Sequence, residues 1–120
     1  MADLRNANLK NSNLSEANLI SANLSGADLL GANLTGSKLV EADLSDTILI
    51  EADLSMSDLL RTNLSWALLS FDNENLDECN LKDAQNVDKA IFDSPKQREE
   101  VLSIWRAQSA GDEESVSDHE

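Results

Sequence analysis

A leucine falls on every fifth residue of this chain, fourteen times without exception: Leu4, Leu9, Leu14, Leu19, Leu24, Leu29, Leu34, Leu39, Leu44, Leu49, Leu54, Leu59, Leu64 and Leu69. Two residues before each leucine stands Ala, Ser or Thr, and the residue between them is Asp or Asn in eleven of the fourteen units. A period of five suits neither an α-helix, which repeats after about 3.6 residues, nor a long strand with its period of about two. The density of Asn, Asp, Ser and Gly also disfavours long helices, because these residues compete for backbone hydrogen bonds or resist helical order. The chain must therefore turn at every unit.

Within a unit the alternation is that of a short extended segment: small residue inward, Asp or Asn outward, leucine inward. The last two positions make a corner. Gly26, Gly31 and Gly36 occupy the second corner position of three successive units, where a positive φ favours glycine, and Ser is common just before it. Four segments and four corners close a coil of twenty residues, so that each leucine stacks on the one twenty earlier at a strand spacing of about 4.8 Å.

The units ADLRN, ANLKN, ANLIS, ANLSG, ADLLG and ANLTG resemble the pentapeptide-repeat family, whose pattern is A(D/N)LXX. The resemblance covers residues 2–71 without a break and extends, less regularly, to about residue 93. It implies an all-β fold, a right-handed quadrilateral β-helix of about four and a half coils over residues 2–93. Fold does not dictate function, and the repeat residues are those of architecture.

Outward residues on one face recur every twenty positions and can be collected into ladders. One ladder stacks Ile20, Val40 and Leu60 just after the leucine. Another face collects Leu30, Ile48, Ile50, Leu68 and Phe71, with Trp66 at the preceding corner. A clustered apolar stripe of this kind predicts a covered surface. The cover is expected to be the carboxy-terminal segment, a second copy of the chain or another protein.

Regularity fails after Phe71. Asp72 and Asn73 read as an insertion that makes a small loop, and Glu74 would otherwise face inward. One further slip makes Val87, Ala90 and Phe92 the last inward residues. Ser94-Pro95-Lys96-Gln97 then reads as a helix start with proline in the first turn. The predicted helix occupies residues 94–110 and stops at Gly111; Val101, Leu102, Ile104 and Trp105 form its apolar face. It is the expected cap of the carboxy-terminal end, where the last coil would otherwise expose strand edges and apolar side chains. Residues 111–120 read as a disordered acidic tail. The repeat begins at residue 2 with no comparable lid, which predicts fraying or end-to-end docking there.

Charge narrows the function classes. The chain carries 23 Asp and Glu against nine Lys and Arg, a formal charge of −14. That balance argues against direct binding of nucleic acid or an anionic membrane. The acids concentrate in residues 41–93, with thirteen acids to three bases, whereas residues 2–40 hold three of each. One cysteine, Cys79, excludes an internal disulfide and makes the cytoplasm the expected setting. The amino terminus shows no apolar run of signal-peptide type, and no segment is long and apolar enough to span a bilayer.

Chemistry is sparse. The single histidine, His119, falls in the predicted tail, and Cys79 takes an inward position as a buried thiol. No phosphate-binding glycine loop, nucleotide motif or metal-ligand spacing is present. Asp43, Asp46, Glu51, Asp53 and Asp58 read as solvated charges, and Asn8, Asn13, Asn18, Asn23 and Asn33 as turn and ladder support. Catalytic, cofactor and metal residues are thus expected to be absent.

The reading that follows is a non-catalytic protein-binding or scaffold module of bacterial type, with an unidentified protein partner or a homodimer formed through a solenoid end or the apolar face. The alternative comes from the resemblance: some family members are acidic rods that mimic duplex DNA and bind the type II topoisomerase gyrase. Four and a half coils span only about 22 Å, or about six or seven base pairs at roughly 3.4 Å each.

Overall fold

The computed structural model describes residues 1–70 and 78–117, the last seven of these as helix backbone only. Parallel bridges join residues twenty apart on four separate ladders, as in Asp3–Asn23–Asp43–Asn63, Asn8–Asp28–Ile48, Asn13–Asn33–Asp53 and Asn18–Lys38–Asp58. Each coil thus lies on the next through main-chain hydrogen bonds. The Leu24 N–H donates to the Asp43 carbonyl at 2.9 Å, and the Asp43 N–H donates to Ala22 at 2.9 Å. Leucines fill the interior: the every-fifth leucines from Leu24 to Leu69 are all buried, with Ala22, Ala27, Ala32, Ala42 and Ala67 beside them. Leu4, Leu9 and Leu14 of the first coil are only partly buried.

Between Leu4 and Ala67 each corner is a turn, closed at twelve of the thirteen by a main-chain bond such as Ala27 N–H to the Leu24 carbonyl at 2.9 Å, and after Leu44 by the Thr47 hydroxyl donating to the Leu44 carbonyl at 2.7 Å. The third residue of each turn has positive φ, as a type II turn requires. Glycine fills three of these positions, at +74°, +67° and +68° for Gly26, Gly31 and Gly36. The remaining corners hold Asn6, Asn11, Glu16, Ser21, Glu41, Asp46, Glu51, Met56, Arg61 and Trp66 at φ between 56° and 62°. The left-handed conformation therefore belongs to the architecture, and glycine is only its least strained occupant.

Continuous strands occur, among the described residues, on one ladder alone: β1 (Ile48–Leu49), β2 (Leu68–Leu69) and β3 (Ile91–Phe92), paired in parallel in that order. The register also locates the irregularity. Asp58 pairs with Asn80, twenty-two residues on. Leu68 then pairs with Ile91, twenty-three on. Two extra residues thus enter between Asp58 and Asn80, and one more near the 3-10 turn Val87–Lys89, the two slips expected from the sequence. Phe71, Asp72, Asn73 and Glu74 lie outside the described residues. Cys79, Leu81, Ala84, Val87 and Ala90 continue the buried core, and Phe92 packs against it.

Helix α1 (Pro95–Ser117) closes the chain. Its start is as read, with the Gln97 N–H donating to the Ser94 hydroxyl at 3.2 Å. Its end is not: the helix passes Gly111 and continues to Ser117 where the sequence predicts a disordered tail. One helical glycine costs only about 1 kcal/mol, and Glu113 and Glu114 beyond it are good helix formers. His119 lies outside the described residues.

Candidate functional site

The outward Asp and Asn residues have a structural occupation. In all eleven repeat units that carry one, its side-chain oxygen accepts the N–H two residues later at 2.9–3.3 Å, from Asp3 with Arg5 to Asn63 with Ser65. Asn80 with Lys82 adds the same bond at 3.0 Å in the last coil. These are Asx turns, which hold the bend into each corner. The Ser55 hydroxyl, the Ser55 N–H and then the Thr35 hydroxyl hold the Asp53 carboxyl below the usual carboxylate range. The Arg5 guanidinium, 2.8 Å from Asp3, draws that carboxyl down to about 2.

Lys38, Ile48 and Leu68 mark the three repeat units without Asp or Asn at this position, and so without the Asx bond. Ile48 and Leu68 sit opposite each other on β1 and β2, and Ile91 follows on β3. The three form a parallel ladder of outward aliphatic side chains at a position where eleven repeat units carry an amide or a carboxylate and one carries Lys38. Leu30 and Ile50 stand two positions further along neighbouring rungs and are partly exposed. Trp66, on the corner leading into β2, is 57% exposed. Phe71, assigned to the same face from the sequence, lies outside the described residues.

Ile91 is the member that sequence reading misses. It is 47% exposed and adds a third rung to the ladder. The two register slips carry its signal: once Phe92 is taken as inward, its neighbour must point outward. Ile20 belongs to a different face with Val40 and Leu60, and Met56 stands on a further corner; both are exposed.

Charged residues border the apolar ladder. Asp28 precedes Ile48 on the same bridge ladder, and Asp46 and Glu51 occupy the corners on either side of β1. Asp93 follows β3 and Lys89 precedes it, both exposed. Lys10 lies 3.4 Å from Asp28 and offsets it.

The far end of the core is occupied by α1. Val101 and Leu102 are fully buried, while Ile104 and Trp105 pack against the core with part of their surface exposed. Polar side chains of the helix take up main-chain groups of the last coil. Gln108 accepts the Leu81 N–H at 2.6 Å and donates to the Cys79 carbonyl at 3.2 Å. Ser109 accepts the Asp83 N–H at 2.9 Å, and the Trp105 indole donates to the Ala84 carbonyl at 2.8 Å. These are the groups to which a further coil would bond.

Groups suited to chemistry are few. Cys79 is buried 3.4 Å from the Ser57 hydroxyl, and burial pushes its thiol up to about 11, far from a reactive thiolate. Among the described residues no group of three or more His, Cys, Asp or Glu is placed to hold a metal ion. An open depression of about 400 Å³ beside α1 is lined by Asp83, Trp105, Arg106, Ser109 and Ala110. No helix among the described residues is long and apolar enough to cross a membrane.

Comparison with known proteins follows the repeat. The sequence profile of the family described as Pentapeptide repeats matches residues 2–36 and 27–65, in eight copies. Among solved structures, the chain is similar to a pentapeptide repeat protein from the Arabidopsis thaliana thylakoid lumen. The identity is 26%, with 86% of this chain and 72% of that one covered and a TM-score of 0.51. HetL, a pentapeptide repeat protein involved in heterocyst differentiation regulation from the cyanobacterium Nostoc, shares 32% identity over 57% of this chain and 39% of its own, with a TM-score of 0.31. No curated protein matches.

Proposed function

The chain belongs to the pentapeptide-repeat family, and from that premise we propose that it is a non-catalytic scaffold that binds a protein partner through the face built on β1, β2 and β3. The family implies a right-handed quadrilateral β-helix, a reading supported by the four parallel bridge ladders. A filled solenoid of this kind offers flat faces and no enclosed cleft, so recognition by surface is the activity best suited to it. The proposed setting is the cytoplasm, where a lone thiol such as Cys79 stays reduced.

One observation carries the proposal: Ile48 and Leu68 replace the residue that forms the Asx turn, and they do so on adjacent rungs that Ile91 extends. The repeat forgoes a local hydrogen bond worth about 1 kcal/mol at each place and gains an outward aliphatic side chain. Covering such a side chain returns about 1.5–3 kcal/mol. Trp66 adds an exposed aromatic of the kind that dominates interface energetics. An acidic mimic of DNA would carry carboxylates where Ile48, Leu68 and Ile91 stand, so the apolar ladder favours the scaffold reading.

The test compares the native chain with Ile48→Asp/Leu68→Asp. Both substitutions install a residue that the repeat normally carries there, so the circular-dichroism spectrum should be unchanged. Affinity capture from native lysate should retain a protein on the native chain and lose it on the variant. Retention of the same proteins by both would remove the basis for the proposal.

A further inference from the structure

Resting on the scaffold reading, we propose that the occupant of the β1–β2–β3 face is a basic amphipathic helix lying along the solenoid axis. Along β1 and β2 the face offers no open sheet edge, because their main-chain groups bond to the coils on both sides, as with Leu29 N–H to the Ile48 carbonyl at 2.9 Å and Leu68 N–H to Thr47 at 2.9 Å. An extended peptide laid on it would leave its own backbone unpaired against an apolar surface. A helix satisfies its backbone internally and needs only side-chain contacts.

The dimensions agree. Successive rungs are spaced by about 4.8 Å, and a helix rises about 5.4 Å per turn. One apolar residue per turn therefore meets one rung each at Ile48, Leu68 and Ile91, and the mismatch across the three is only about 1 Å. Leu30 and Ile50 form a second column beside the first, giving a strip wide enough for residues at i, i+4 and i+7.

Charge selects the helix. Asp46, Glu51 and Asp93 border the strip and outnumber Lys89 beside β3, Asp28 holds Lys10, and the whole chain carries −14. Lysine or arginine flanks meet these carboxylates, and one of them can stack on the exposed Trp66 ring. A second copy would instead bring Asp46 and Glu51 against their own counterparts, and an anionic bilayer would meet the same repulsion.

The probe is a synthetic 14-residue peptide, blocked at both ends, with leucine at i, i+4 and i+7 and lysine on the flanks. Its companions carry glutamate for lysine, or proline at the centre. Fluorescence anisotropy against the full chain should show the lysine peptide binding at least tenfold more tightly than either companion. Binding should weaken as sodium chloride rises from about 50 to 300 mM, and should fall at least tenfold in Ile48→Asp and in Leu68→Asn. Equal binding of the lysine and glutamate peptides, binding of the proline peptide, or indifference to Ile48→Asp would overturn the helix assignment. A dimer in sedimentation equilibrium that Ile48→Asp dissolves would overturn it in favour of a second copy. These failures are distinguishable from failure of the scaffold reading: a native partner still released by Ile48→Asp/Leu68→Asp leaves that reading standing.

Discussion

Each repeat residue has a local task that can be stated in one hydrogen bond or one torsion. Where Asp or Asn precedes the repeat leucine it accepts the N–H two residues later, and the second corner residue takes positive φ. The corner torsion costs a residue with a Cβ about 1–2 kcal/mol, so glycine-to-alanine changes there should be measurable. Neighbours separate two of them. A Cβ at Gly36 would meet only Glu16 Cγ, at 3.4 Å, whereas at Gly26 it would run into the Asn6 side-chain oxygen. Gly36→Ala should therefore cost about 1 kcal/mol in urea unfolding, and Gly26→Ala more, by the energy needed to displace Asn6. Equal losses would show that Asn6 swings aside freely. At this scale the sequence is legible for the inward leucines and for the glycines, because both announce themselves by residue type. It is silent on Glu41, Met56 and Trp66 in the left-handed region, since nothing in those side chains signals a positive φ; the turn imposes it.

Among the elements, α1 replaces the next coil as much as it covers the last. Its apolar residues Val101 and Leu102 fill the end of the core, and Gln108, Ser109 and Trp105 take up the main-chain groups left at its edge. The helix and its apolar face are readable from Ser94, Pro95 and the spacing of Val101, Leu102, Ile104 and Trp105. Gln108 and Ser109 are not, because a polar residue on a helix gives no sign of which backbone it will meet. Gln108→Ala leaves the Leu81 N–H and the Cys79 carbonyl unpaired and should destabilise the chain by about 1–3 kcal/mol. Cys79 reports the event. Its raised thiol favours the protonated, folded form, so this contribution to stability is present below the ordinary thiol range near 9 and fades as pH rises towards about 11. At pH 8 Ellman's reagent should leave native Cys79 unmodified for hours, and Gln108→Ala should accelerate its reaction at least tenfold through opening of the last coil. An unchanged rate would mean that the helix side chains do not hold that coil shut.

In the whole molecule, a stack of coils distributes stability through contacts between neighbours, so the same substitution should cost different amounts along the ladder. Leu49 is fully buried between the rungs of Leu29 and Leu69, whereas Leu9 of the first coil is only partly buried. Leu49→Ala leaves a cavity bounded on both sides and should cost about 3–5 kcal/mol. Leu9→Ala opens onto solvent on one side and should cost about half as much. Native-state hydrogen exchange should then find the amides of Leu4 to Glu16 opening ahead of those around Leu44 and Leu49, and more so in Leu9→Ala. Ile48→Asp, one residue from Leu49 on the same strand, should cost far less, because it exchanges a partly exposed aliphatic group for the Asx bond made elsewhere in the solenoid. Adjacent positions with opposite consequences for folding and binding are what a scaffold needs if its surface is to vary while its core is held. Equal losses at Leu9 and Leu49, with uniform exchange along the stack, would instead mean that the coils open only together, and the independence of face from core would have to rest on Ile48→Asp alone.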